Sequence, residues 1–125
     1  MPESPTTARI VLTTTGSAEE ARRIGRALVK ECLIACASIV PAVESIYRWK
    51  GEIESGSETM MILKTNLERV AALQARLREL HSYEMPEFLV LSVESGSAAY
   101  LDWLAACLAR GESPGQSQPE RKDCV

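Results

Sequence analysis

His81, the only histidine in the chain, stands three residues before Glu84 and six before Glu87 in the run His-Ser-Tyr-Glu-Met-Pro-Glu (81–87). An imidazole followed by two carboxylates is the residue set of a divalent transition-metal site, and equally of an acid–base pair. His81 is the candidate copper or zinc ligand, with Glu84 and Glu87 as candidate oxygen ligands. A structural reading competes with both. An imidazole at a helix end interacts with free carbonyls and the helix dipole, and glutamates on either side of Met85-Pro86 need not face one cleft. Pro86 biases Met85 toward extended backbone and lacks a donor of its own, so the segment is a turn before it is a site.

Three further groups carry possible chemistry. Lys64 ends a β-favouring run, where it would hold an anion, pair with Glu84 or meet another subunit. Cys36 would need a base or a positive field to become a nucleophile; its sequence neighbours are apolar and favour packing instead. Tyr47, Trp49, Tyr83, Tyr100 and Trp103 supply all but one of the aromatic residues, and such side chains anchor interfaces and line small-ligand pockets alike.

The elements that position these residues follow from periodicity. Residues 8–15 (ARIVLTTT) are rich in β-branched residues and predict a strand. Ser17 with Glu20 three residues later has the form of a capping box, and Ala21, Ile24, Leu28 and Cys32 recur at helical spacing, predicting a helix over about 18–33. Residues 35–49 read as one long strand bent at Pro41, with Ser45, Tyr47 and Trp49 on one face and Ile46, Arg48 and Lys50 on the other. Trp49-Lys50-Gly51-Glu52 predicts a hairpin tip, and residues 58–65 the return strand. Asn66 can cap a second helix, with Val70, Leu73, Leu77 and Leu80 on its apolar side, that ends at His81. Residues 87–94 predict a strand buried on both faces or against another subunit, and Ser97 caps a last helix carrying Tyr100, Leu101, Leu104 and Leu108. Residues 1–7 and the polar, Pro- and Gly-containing stretch 111–125 read as disordered, leaving one domain over 8–110.

That order predicts an α+β, ferredoxin-like split βαβ sandwich: an antiparallel sheet with both crossover helices on one face and an extra C-terminal helix. One sheet face is then left for a second copy of the chain to cover, which predicts a homo-oligomer. With 125 residues, 46% hydrophobic content and a net charge of −3, the chain is sized for a single core and has no basic stripe for nucleic acid. No run is long enough to span a membrane, and the start lacks the pattern of a secretory signal. Cysteines at 32, 36, 107 and 124 show no C-x-x-C pair, so a reduced cytoplasmic protein is expected.

The runs LIACASIVP (33–41), SIYRWKGEIE (45–54), ETMMILKT (58–65), HSYEMPE (81–87) and YLDWL (100–104), in this order and spacing, resemble the CutA family of divalent cation tolerance proteins. The resemblance implies a tight homotrimer in which edge strands of neighbours pair. It also implies a role in tolerance of copper or other divalent metals, with no enzymatic activity. In relatives with bound copper the ligands resemble a first-strand cysteine and a histidine pair; Thr13 and Leu80 occupy two of those positions here, and His81 is kept. Ser82 replaces the usual proline. The implied action is binding of a metal or small ligand in an inter-subunit cleft, with His81 as metal ligand and Lys64, Tyr83, Glu84, Glu87, Trp49 and Cys36 as cleft residues. A trimer resembling the nitrogen-regulatory P-II proteins, binding a small ligand and a protein partner, is the alternative.

Overall fold

A computed structural model describes residues 6–109; the expected unstructured ends fall largely outside them. Thr6 and Thr7 are held in place. The Thr6 hydroxyl donates to the Val93 carbonyl at 2.5 Å, and the Thr7 carbonyl accepts the Leu67 amide at 2.8 Å.

The chain runs β1 (Ala8–Thr15), α1 (Ala18–Lys30), β2 (Cys36–Trp49), β3 (Glu52–Asn66), a 3-10 turn (Leu67–Arg69), α2 (Val70–Leu80), β4 (Leu89–Ser92) and α3 (Ala98–Leu108). The sheet order is β2-β3-β1-β4 and every pairing is antiparallel, which is the ferredoxin-like arrangement. On one face Ala21, Ile24 and Leu28 of α1 and Leu73 and Leu77 of α2 close over Val11, Met61 and Leu63. Each of the larger side chains contributes roughly 2 kcal/mol by leaving water. Arg76 of α2 forks onto the Glu31 carboxylate at the end of α1 through two contacts of 2.9 Å, tying the helices together.

Sequence signals for turns act as expected in most places. Ser17 Oγ accepts the Glu20 amide at 3.1 Å, Asn66 Oδ1 accepts that of Arg69 at 3.2 Å, and Ser97 Oγ that of Tyr100 at 3.0 Å. Pro41 sits in a bulge, where three residues of β2 from Val40 to Val43 advance against two of β3, and Ala42 takes φ 62°. Lys50 and Gly51 both have positive φ, 52° and 84°, which matches the twist of a two-residue hairpin turn.

Three expectations are corrected. Helix α1 stops at Lys30 rather than 33, because Cys32 adopts φ 60° and the Cys32 and Leu33 amides turn back to Val29 and Leu28. Strand β3 starts at Glu52, not 58, since it pairs with β2 all the way to the hairpin tip. Strand β4 is only Leu89–Ser92, and all four residues are exposed, so this chain by itself buries neither of its faces.

The second sheet face is not wholly bare. Ala8, on the opposite side of β1 from Val11, packs with Ala35, Leu104 and Leu108, so α3 covers one end of it. The rest presents Ile10, Leu12, Met60 and Ile62, half-buried, and Leu89 and Leu91, exposed.

Within the covered face the Thr15 hydroxyl donates to the Ser17 carbonyl and that of Thr65 to the Leu33 carbonyl, whereas the Thr13 hydroxyl is fully buried without a partner. Replacing an orphaned hydroxyl by a methyl of the same shape removes a desolvation cost, so Thr13→Val is expected to add about 1 kcal/mol to the unfolding free energy. Urea denaturation measures it, and a lower midpoint in the variant would refute the assignment.

Candidate functional site

The turn that ends α2 is built around the imidazole of His81. Its backbone leaves the helix at φ −86° and ψ 143°, and the ring folds inward to 8% exposure. Nδ1 receives the Tyr83 amide at 3.0 Å, and Nε2 lies 2.7 Å from the Thr14 carbonyl. An amide can only donate and a carbonyl can only accept, so the proton sits on Nε2 and the ring is neutral. Both nitrogens are thereby spent on backbone. Metal coordination by His81 would break one of these bonds, which corrects the picture of a ligand waiting at a helix end.

Glu20 approaches the same turn from the first turn of α1. Its carboxylate accepts the Ser82 amide at 2.8 Å and the Gly16 amide at 3.4 Å, and lies 3.8 Å from His81 Nδ1. The return half of the capping box thus goes to Gly16 and the distant Ser82 instead of Ser17. Burial pushes this carboxyl up, but the amide and hydroxyl of Ser82, the nearby imidazole and Gly16 outweigh it and hold it below the usual 4.5.

Tyr83 carries the turn across to the β2–β3 hairpin. Its hydroxyl donates to Glu58 Oε2 at 2.9 Å, and Glu58 Oε1 accepts the Ser45 hydroxyl at 2.9 Å. Burial, then the bond to Glu58 and the charges of Glu58 and Glu20, push the phenol up to about 12. At neutral pH Tyr83 is a donor and not a base.

The remaining candidates lie apart. Lys64 donates to Ser38 Oγ at 3.0 Å and approaches Cys36 Sγ at 3.8 Å, so its partners are these and not Glu84. It is six residues from Glu58 along β3, ~20 Å in an extended strand, so Lys64 and the Tyr83 cluster form separate sites within one subunit. Glu84 lines a hollow with Arg78 and Met85 from which Glu87 is absent, so the two carboxylates do not share a cleft. Trp49 stands at the hairpin tip with the Lys50 ammonium 5.8 Å from its ring centre. Cys32, Cys36 and Cys107 are thiols, and among the described residues no three His, Cys, Asp or Glu side chains converge. The most voluminous hollow, about 750 Å3, follows the free edge of β2 between α1 and Trp103 of α3.

Residues 9–107 match the family model described as CutA1 divalent ion tolerance protein. The chain belongs to the CutA family. CutA relatives include the divalent-cation tolerance protein CutA of Thermus thermophilus, 44% identical over 95 residues that cover 76% of this chain and 92% of the relative. The protein of the same name from Escherichia coli is 40% identical, covering 84% and 94%. Human protein CutA is 44% identical, but the chain spans only 47% of its length. Among solved structures, CutA from Xylella fastidiosa superposes with a TM-score of 0.81 at 35% identity, over 83% of this chain and all of that one. Thr13, at the family's cysteine position, is fully buried in this CutA chain, and Leu80 has no ligand atom to offer.

Sequence reasoning missed Glu20, Glu58, Ser45 and the Thr14 carbonyl as parts of the His81 turn. The capping box marked Glu20 as a helix-start residue, and no local signal marks the others. Because the folded Glu20 carboxyl lies below its ordinary value, its stabilisation is present above pH 4.5 and is lost as pH falls through the folded value. Glu20→Gln is expected to cost about 1 kcal/mol at pH 7 and little at pH 3. Urea midpoints at the two pH values check this; an equal cost at both would remove Glu20 from the turn.

Proposed function

We propose that this CutA-family chain works as a homotrimer in divalent-cation tolerance, binding copper or another divalent metal, or a small ligand, in clefts between subunits and catalysing no reaction. The carrying observation is the uncovered part of the sheet: two free strand edges, with Leu89 at 55% and Leu91 at 47% exposure beside Ile10, Leu12 and Ile62. Association covers this surface, and the number three follows from the family resemblance.

On this reading a metal is held by side chains of more than one copy, since no group of three ligating residues converges among the described residues of one. His81 shapes the turn that presents Tyr83 and Glu58 to the cleft, while Lys64 and Cys36 face it from the open side of the sheet and Trp49 from the hairpin tip. Catalysis is disfavoured because the groups that would perform it are engaged: His81 through both nitrogens and Glu58 between Ser45 and Tyr83. Glu84 and Glu87 act singly at the rim. The thiol state of Cys32, Cys36 and Cys107 supports a cytoplasmic site of action. The P-II-like alternative draws support from Lys64, a cation partnered by a hydroxyl and a thiol, which suits an anionic small ligand.

Sedimentation at micromolar concentration is expected to give the mass of three chains. Calorimetric titration with Cu(II) and Zn(II) is expected to show uptake whose stoichiometry is unchanged in His81→Gln. A single-chain mass would sink the trimer; loss of uptake in the variant would return His81 to the role of ligand.

A further inference from the structure

Two rows of backbone hydrogen-bonding groups are left over where the sheet ends, one along the outer edge of β2 and one along that of β4. The β2 edge lies in the groove of about 750 Å3, with Cys36–Ile39 as its floor and α1 and Trp103 as walls. Arg22, Arg26 and Lys30 recur every four residues along α1, so they form one exposed stripe down the wall. Neither arginine has a salt-bridge partner among the described residues, in a chain whose net charge is −3. A cationic stripe beside an unpaired edge favours an extended segment with a carboxylate on the matching side.

Strand β4 is such a segment. Its pairing with β1 continues past Ser92 through the Val93 amide, which donates to the Ala8 carbonyl at 3.3 Å. Val90 lies opposite Val11, whose side chain is in the core beneath α1 and α2, so by alternation Val90, Ser92 and Glu94 belong to the helix side of the sheet. Glu94 is exposed.

We propose that β4 of a second copy adds to the free edge of β2 and that its Glu94 is the counter-ion of Arg26. The proposal rests on the association argued above and names the charges that set its register. Strand directions alternate across the sheet, so β2 and β4 run in opposite senses within one copy. Rotation about an axis along the strands preserves those senses and makes the added strand antiparallel to β2. Glu94 then meets the Cys36 end of β2, beside the last turns of α1, where Arg26 and Lys30 stand. Lys30 already shares its field with Glu31, which leaves Arg26 as the unmatched charge. A pair of this kind contributes little raw affinity; it disfavours shifted registers and foreign strands.

Charge reversal tests the pairing on the full-length protein. Exchange between isotopically light and heavy copies, followed by native mass spectrometry, gives a subunit-exchange rate. Arg26→Glu and Glu94→Arg are each expected to raise that rate about tenfold, and the double variant to return it to near the wild-type value. If wild type is oligomeric and the double variant exchanges as fast as the singles, or the singles match wild type, the Arg26–Glu94 pairing is wrong while association stands. A wild-type protein that sediments as one chain overturns both.

Discussion

A four-stranded sheet has two faces and two edges, and the helices between its strands can cover only one face. Everything distinctive about this chain follows from that geometric shortfall. Helices α1 and α2 bury Val11, Met61 and Leu63, while α3 reaches only the end of the other face near Ala8. The surface left over is apolar in the middle and rich in unpaired backbone at the sides, and both are costs for a solitary chain in water.

The His81 turn meets a different demand, that of joining elements remote in sequence. Thr14 ends β1, Glu20 begins α1, Glu58 belongs to β3 and Tyr83 follows α2, yet one imidazole, one carboxylate and one phenol connect them all. Each polar atom there is paired, which is the condition for placing such groups at the margin of a core. The same completeness that makes the turn rigid explains why its histidine is poorly available to a metal. Function in this chain therefore belongs to surfaces that a second copy completes more than to any pocket of one subunit.

Much of this was legible in the residue string. The β-branched run 8–15, the Ser17, Asn66 and Ser97 caps, Pro41 at the bulge and the helix end at His81 all report local backbone chemistry, and local chemistry is what a string displays. Cys32 misled because a left-handed helix terminus usually advertises itself with glycine. The start of β3 was hidden by Ser55, Gly56 and Ser57, whose strand state comes from pairing with Glu44, Ser45 and Ile46 and not from their own propensity. Glu58 was invisible as a partner of Tyr83 because 25 residues separate them, and only the fold brings them together. The imagined contact of Lys64 with Glu84 failed for the reverse reason: sheet register places Lys64 against Cys36.

The short strand Leu89–Ser92 carries a further implication for the life of the molecule before it is assembled. With Leu, Val and Leu in succession, no charge within the strand and an open ladder on one side, it has the makings of a sticky end on a freshly synthesised chain. Dilution prolongs that vulnerable interval, and abundance shortens it. Cellular concentration thus becomes a determinant of whether new copies mature or clump, and the protein's apparent melting point should climb as it is concentrated.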